Sequence, residues 1–259
     1  MTSNTNQAAD PDLARSGIEY VAHRTHETAD AIAALVRQCF PALDSGYRDT
    51  PIDEYRAQVS AAQDRLCEGG YIRAIVAEIL PDLRRHLGED RFLVQSNLYL
   101  RATRPAVPQA VEAVGWHRES FYGPNMERSV NIWTPICGVD ANNTLRFIPG
   151  SQAVPDSALQ IESVEDSVTR RFSAGHRIGF VYAPKLITAG VDLDSSKPML
   201  VPPYHSIVFP GELIHGSGLN HSSTIRFSVD FRVLPLTAWS PELSKRFHFA
   251  SGKPYFEEY

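Results

Sequence analysis

Long apolar runs are absent from this 259-residue chain. No stretch approaches the ~20 residues that a membrane-spanning helix needs, so no membrane partner is expected. Cysteine is scarce: Cys39, Cys67 and Cys137 are odd in number and share no close spacing. That argues against a disulfide framework or a Cys-rich zinc site and fits a reducing compartment. Basic runs are missing too. Arg84-Arg85 and Arg170-Arg171 are isolated pairs in a chain of formal charge −5, so nucleic acid is not an expected partner. The N-terminus, Met1 to about Ser16, is polar and lacks the apolar core of a secretory signal. It is expected to be a disordered tail on a cytoplasmic protein. What is present, 43% hydrophobic and 21% charged residues, is the make-up of a soluble globular protein with a full core. Residues 17–259 are expected to form one domain, because all-β barrels and sandwiches often reach this length as a single unit.

The chain has two textures. From about Thr25 to Leu87 the apolar residues recur at helical spacing. Ala29, Ile32, Ala33, Val36 and Phe40 form a first stripe, with Thr25 or Thr28 as its cap. Ile52, Tyr55, Val59 and Leu66 form a second, opened by Pro51 and closed near Gly69-Gly70. Tyr71 to Leu87 forms a third, which Pro81 should kink or divide. After Gly88 short alternating segments take over: Phe92 to Arg101, Ser129 to Val139, Thr144 to Ile148, Arg177 to Tyr182, His205 to Phe209 and Thr224 to Val233. Pro155–Arg170 reads as a surface connection. The expected fold is therefore mainly β, a double-stranded β-helix (jelly roll) over about 92–236 with an N-terminal helical preface. The aromatic C-terminal segment, 237–259, should pack on the barrel or on a second subunit, which leaves monomer and homodimer both open.

The chemistry concentrates in two places. In His117-Arg118-Glu119 the i, i+2 spacing would put both outer side chains on one face of a strand, about 7 Å apart. By itself such a triplet is common by chance. The second half is His215, set among glycines, with Arg226 eleven residues later. Two histidines and one carboxylate hold one face of a non-haem Fe(II) and leave the remaining positions open. In Thr224 to Phe231, Arg226, Ser228 and Asp230 share one face while Ile225, Phe227, Val229 and Phe231 share the other. An arginine on the inward face of a barrel strand is unfavourable without a partner. A carboxylate-bearing co-substrate would supply one, gripped bidentately; so would Asp230 or Glu212, in a structural salt bridge.

These residues resemble the phytanoyl-CoA dioxygenase-like branch of the Fe(II)/2-oxoglutarate-dependent oxygenases. The resemblance extends to Asn142–Gln152, similar to that family's strand ending in a Pro-Gly-Ser turn, and to His205–Asn220, similar to its strand-turn-strand carrying the distal histidine. It implies Fe(II) on His117, Glu119 and His215, with dioxygen and 2-oxoglutarate as co-substrates. It further implies that Arg226 and Ser228 hold the oxoglutarate tail and that Trp133 lies beside the cofactor. One departure is Glu119, where the family usually has aspartate, one methylene shorter. Because related halogenases replace this carboxylate with a small residue, halogenation is not expected. The helical preface and the His-Arg-Glu-Ser-Phe-Tyr-Gly run look most like oxygenases of oligosaccharide and aminocyclitol antibiotic biosynthesis, including the oxidative cyclases of orthosomycins. That implies a small, sugar-containing substrate that is hydroxylated or closed into a ring.

Further contact candidates are Gln95 and Asn97, on the polar face of the first barrel strand, for the cofactor, and Asn131 for substrate. Phe121, Tyr122 and Tyr204 could form an aromatic rim suited to sugar faces; barrel packing is the alternative for each. Three other readings stay open: a cupin-type metalloenzyme without oxoglutarate, a non-catalytic binding protein on the same scaffold, and an oxygenase of amino acids or acyl thioesters.

Overall fold

Every residue of Arg226–Pro235 is buried, although alternate positions are charged or polar. Such a strand needs an apolar layer on one side and a lined polar interior on the other. A computed structural model, describing residues 16–42, 47–105, 112, 114–164, 183–249 and 252–259, shows that arrangement. Strand β1 (Glu19–Ala22) is followed by helices α1 (Glu27–Cys39), α2 (Ile52–Glu68), α3 (Tyr71–Glu78) and α4 (Leu80–Leu87). The strands then run β2 (Phe92–Gln95), β3 (Tyr99–Thr103), β4 (Val130–Cys137), β5 (Leu145–Phe147), β6 (Gln160–Ser163), β7 (Lys185–Ala189) and β8 (Lys197–Pro198). After these come β9 (His205–Pro210), β10 (His215–Ser217), β11 (Arg226–Pro235), α5 (Pro241–Arg246) and β12 (Phe256–Glu258).

A seven-stranded sheet, ordered β1-β9-β4-β11-β2-β12 with β3 also on β11, faces a three-stranded sheet ordered β10-β5-β8. All their pairings are antiparallel. This is the expected jelly roll. Phe227, Val229, Phe231 and Val233, with Leu100, Ile132 and Val208, form the outer face, packed under Ile32 and Val36 of α1, Phe40 just beyond its end, and Tyr55, Val59 and Leu66 of α2. Phe40 meets Phe227 with ring centroids 4.8 Å apart. On the other face Trp133, Ile207 and Phe209 meet Phe147, Met199 and Leu213, which closes one sheet onto the other. Pro135, which has no N–H to give to the ladder, sits where β11 and β4 slip register at Phe227/Ser228, the kind of bulge that tolerates proline inside a sheet.

Pro81 divides the third helical stretch as expected, with Ile79 the junction and the proline in the first turn of α4. Three details differ. No side chain caps α1; the Thr25 and Thr28 hydroxyls donate instead to Glu78, at 2.5 and 3.2 Å. The stretch Phe92 to Arg101 is two strands rather than one, and the interruption turns Asn97 off the polar face. Residues 160–163 form a hairpin strand with β7 rather than a plain connection. β12 pairs with the free edge of β2, so the aromatic C-terminus packs on the barrel. The strand expected at Arg177 to Tyr182 and the tail up to residue 15 lie outside the described residues. Among the described residues, no helix is long and apolar enough to cross a membrane.

Candidate metal centre and co-substrate pocket

His117 and His215 exchange both backbone hydrogen bonds, each N–H donating to the other's carbonyl at 3.0 Å. Residues paired in this way project their side chains to the same side, and the two rings lie 4.3 Å apart. Each Nδ1 lies against the carbonyl oxygen two residues earlier, His117 on Gly115 at 2.8 Å and His215 on Leu213 at 2.9 Å. A carbonyl only accepts, so Nδ1 carries the hydrogen and Nε2 keeps its lone pair for a metal. Glu119 reaches the same point by another route than the one its spacing predicts. It does not continue a strand but opens a 3-10 turn, Glu119–Tyr122. Its N–H donates to Gly211 O, and Gly211 N–H to Ser129 O, both at 2.7 Å. The backbone approaches so closely there that a Cβ on Gly211 would stand 2.5 Å from Ser129 Oγ and 3.2 Å from Glu119 Cβ. One ligand atom from each of His117, Glu119 and His215 then lies within 4.8 Å of the others, all three residues being buried. Arg118 between them points away, fully buried, and donates to Asp156 at 3.0 Å and Glu212 at 3.1 Å. Glu212 therefore faces away from the cluster.

The electrostatics suit a cation. Burial, and then the neighbouring His215, push the His117 pKa well below the usual histidine value. Burial lowers His215 as well, against the opposing pull of Glu119. Both rings are thus neutral, the form a metal requires of a ligand. Glu119 accepts two hydrogen bonds from one guanidinium: Arg232 Nε to Oε2 and Nη2 to Oε1, each at 3.0 Å. Arg232 Nη1 donates to Asp230 at 3.1 Å, and Asp230 in turn accepts from Arg101 at 2.6 and 3.0 Å. Burial alone would raise the Asp230 carboxyl, but Arg101 and then Arg232 hold it below the ordinary aspartate value.

Arg226 is the exception among these arginines. It is 1% exposed and pairs with neither Asp230 nor Glu212. Its Nη2 donates to Thr103 Oγ1, opposite it on β3, at 2.7 Å, while Nε and Nη1 have no partner among the described residues. Burial, reinforced by the like charge of Arg101, pulls its guanidinium down to about 10. Ser228, two residues on, accepts from Trp133 Nε1 at 3.1 Å, so its own hydroxyl hydrogen points elsewhere. A buried cation with unused donors and a neighbouring hydroxyl with a hydrogen to give are groups whose chemistry suits a carboxylate.

The cluster opens into a pocket of roughly 380 Å³, part of it exposed to solvent, to which Trp133, Asn131, Phe209, Asp230 and both histidines contribute. Asn131 is 3% exposed and its amide nitrogen has no partner among the described residues. Tyr122 stands edge-on to His117, centroids 5.7 Å apart. The other expected contacts lie elsewhere. Gln95 braces the wall: its Oε1 accepts from the Arg232 backbone at 3.1 Å and its Nε2 donates to Tyr99 OH at 3.4 Å. Asn97 accepts from Cys67 of α2 at 3.4 Å, on the helical side of the sheet. Phe121 packs with Ile148, Ile187 and Ile214. Tyr204 stacks on His26, centroids 3.6 Å apart, and its backbone takes a left-handed turn, φ 58°. Tyr204 is therefore a corner, not a rim. Arg101, Asp230, Arg232 and Phe209 were not expected in the pocket; the alternation that places Arg226 and Ser228 inward extends to Asp230 and Arg232 and could have found two of them.

Two histidines and a carboxylate converging at one point, with a buried, underpaired arginine on the inward face of the facing sheet, define the site of an Fe(II)- and 2-oxoglutarate-dependent oxygenase, and the residues present fit Fe(II), 2-oxoglutarate and dioxygen. The chain belongs to the phytanoyl-CoA dioxygenase (PhyH) family, whose sequence model matches residues 21–228. The matched stretch contains His117, Glu119, His215, Arg226 and Ser228 and ends before Asp230 and Arg232. No curated protein matches the chain in sequence. Among solved structures the fold is similar to the non-heme monooxygenase ThoJ in its apo form, at 19% identity and TM-score 0.52, covering 87% of this chain and 76% of that one. It is similar also to EvdO2 from Micromonospora carbonacea var. aurantiaca, at 13% identity and TM-score 0.51, covering 91% and 93%. EvdO2 complexed with 2-oxoglutarate aligns at 14% identity and TM-score 0.50, covering 93% and 97%.

Proposed function

We propose that residues 17–259 form one oxygenase domain that oxidises a C–H bond of a small natural product, a carbohydrate or aminocyclitol antibiotic intermediate, by hydroxylation or oxidative ring closure. The observation that carries the oxygenase reading is a triad whose two free Nε2 atoms converge with a carboxylate, together with the buried, underpaired Arg226 on the inward face of β11. His117 and His215 would ligate through Nε2 and Glu119 through a carboxylate oxygen. Arg226 would grip the distal carboxylate of 2-oxoglutarate with Nε and Nη1. Ser228 adds its hydroxyl donor, aimed by the Trp133 indole. When bound, Fe(II) with 2-oxoglutarate and dioxygen supplies the oxidising power for the C–H bond. The protein's part is to orient the substrate and keep water from the metal.

The sugar reading rests on the pocket wall. It combines apolar surface (Leu145, Phe209, Trp133) with polar groups suited to hydroxyls: the unpaired Asn131 amide, Ser217 and the Arg101–Asp230 pair. A polyol with an apolar ring face fits that mixture better than a fatty chain would. The test is anaerobic addition of Fe(II) and then 2-oxoglutarate to the purified protein. A weak visible charge-transfer band is expected, lost in His215→Ala. Folded, metal-loaded protein without the band would refute the oxoglutarate reading and favour a metalloenzyme that does not use it.

A further inference from the structure

Glu119 is longer than the aspartate its family usually carries, and an extra methylene adds a rotatable bond to a ligand that must hold one position. The structure contains a device that removes this freedom. Arg232 lies on the inner face of β11, six residues beyond Arg226, and is only 7% exposed. Its fork takes one lone pair on each Glu119 oxygen, at 3.0 Å and 3.0 Å. The fork is itself immobilised. Nη1 is anchored on Asp230 at 3.1 Å, and Asp230 is anchored on Arg101. The Arg232 backbone N–H is held by Gln95 at 3.1 Å, and the guanidinium lies 5.4 Å from the Tyr99 ring centroid and 5.9 Å from that of Tyr122. With the carboxylate so clamped, Oε1 stands 3.7 Å from His215 Nε2, close enough for both atoms to bind one ion.

We propose that Arg232 is a positioning residue for the metal centre: it holds Glu119 so that a single carboxylate oxygen faces the two histidines, which lets the longer side chain serve in the place of aspartate. The inference rests on the reading of Glu119 as a metal ligand. Turning both Glu119 oxygens towards the metal would break the two hydrogen bonds of this fork, so the clamp favours one-oxygen ligation and leaves the open positions of the centre open. Outer partners of this kind act on metal affinity by fixing the orientation of the ligands.

The test is a double-mutant cycle read by Mn(II) affinity, without oxoglutarate or turnover. Arg232→Met should weaken Mn(II) binding about 10- to 100-fold. Arg232→Lys, which keeps the charge but not the fork, should fall between Met and native, and it carries the cycle alone if the Met variant does not fold. In a Glu119→Gln background, already weakened, the same Arg232 changes should have almost no further effect, because the clamp acts through Glu119. An Arg232 penalty equally large in both backgrounds would reveal a merely structural arginine and overturn the proposal, as would native-like affinity in Arg232→Met. If Glu119→Gln binds Mn(II) as tightly as native while His117→Ala does not bind, Glu119 leaves the ligand set and the proposal falls with it. If the cycle holds but the oxoglutarate band is absent, the clamp stands and only the co-substrate reading fails.

Discussion

Replacing Arg226 with methionine should stabilise the protein when 2-oxoglutarate is absent and abolish the stabilisation that 2-oxoglutarate confers. The first half follows from burial. A guanidinium pulled from 12.5 to about 10 is disfavoured in its charged form by roughly 3 kcal/mol, at about 1.36 kcal/mol per pH unit. Methionine retains most of the apolar stem and removes the charge. Against this stands the lost bond to Thr103, about 1 kcal/mol with some penalty for the stranded hydroxyl. The net expectation is a gain of about 1–2 kcal/mol, in line with other replacements of buried charge by apolar residues. For a chain of this size that raises Tm by roughly 2–6 °C. The second half follows from linkage: co-substrate at a hundred times its Kd adds about 2.7 kcal/mol to the native protein and nothing comparable to the variant. Thermal melts of both proteins with Mn(II), with and without 2-oxoglutarate, should therefore cross, the variant higher alone and the native protein higher with co-substrate. A variant that melts lower than native in the absence of 2-oxoglutarate would refute the argument from uncompensated burial. Equal 2-oxoglutarate shifts in the two proteins would remove Arg226 from the co-substrate site.

Gly211→Ala places a Cβ 2.5 Å from Ser129 Oγ, which can rotate aside, and 2.6 Å from Met126 O, a backbone atom that cannot. The expected destabilisation is about 1–3 kcal/mol by urea unfolding, accompanied by weaker Mn(II) binding because Glu119 is hung from the Gly211 carbonyl; unchanged affinity would mean that the turn does not position Glu119. Asp230 has its folded pKa depressed by Arg101 and Arg232. Its contribution is therefore fully present above the unfolded value of about 3.9 and is lost as pH falls through the folded value. Asp230→Asn should be less stable than native by about 3–5 kcal/mol at neutral pH, with the gap narrowing on acidification; a gap that is the same at neutral and strongly acidic pH would refute the assignment.

The helices were legible because their periodicity is long and their interruptions are chemically explicit. Gly69-Gly70 closes α2, and Pro81 has no N–H to continue α3. The long strands were legible for the matching reason, an alternation such as Phe227, Val229, Phe231 and Val233 against Arg226, Ser228, Asp230 and Arg232. What escaped were elements whose existence depends on a distant partner. β1 and β12 have four and three residues, too few for a period, and β12 exists because the edge of β2 is free to receive it. The break between β2 and β3 escaped too, since Asn97 fits the alternation on paper. Its side chain turns to Cys67 because the chain must pass from the stretch of β11 near Val233 to that near Asp230.

The triad was legible for a reason that is partly accidental. Spacing i, i+2 on a strand brings His117 and Glu119 to one face, but Glu119 reaches the cluster through a 3-10 turn suspended from Gly211. The inference survived because two residues flanking a well-packed Arg118 are directed opposite to it in either geometry. The partners of the charges were not legible. A one-dimensional reading sees Asp230 four residues from Arg226 and offers it as a counter-ion, since both lie on one face of β11. Register decides otherwise: Ser228 stands opposite Arg101 on β3, and Asp230 opposite Tyr99, so the carboxylate of Asp230 falls between Arg101 and Arg232 and is consumed by them. Arg226, opposite the uncharged Thr103, is left unneutralised. The same face of one strand thus holds two arginines in opposite situations, Arg232 closed on the protein's own carboxylates and Arg226 left without one, and it is the cross-strand neighbour of each, not its place in the sequence, that divides them.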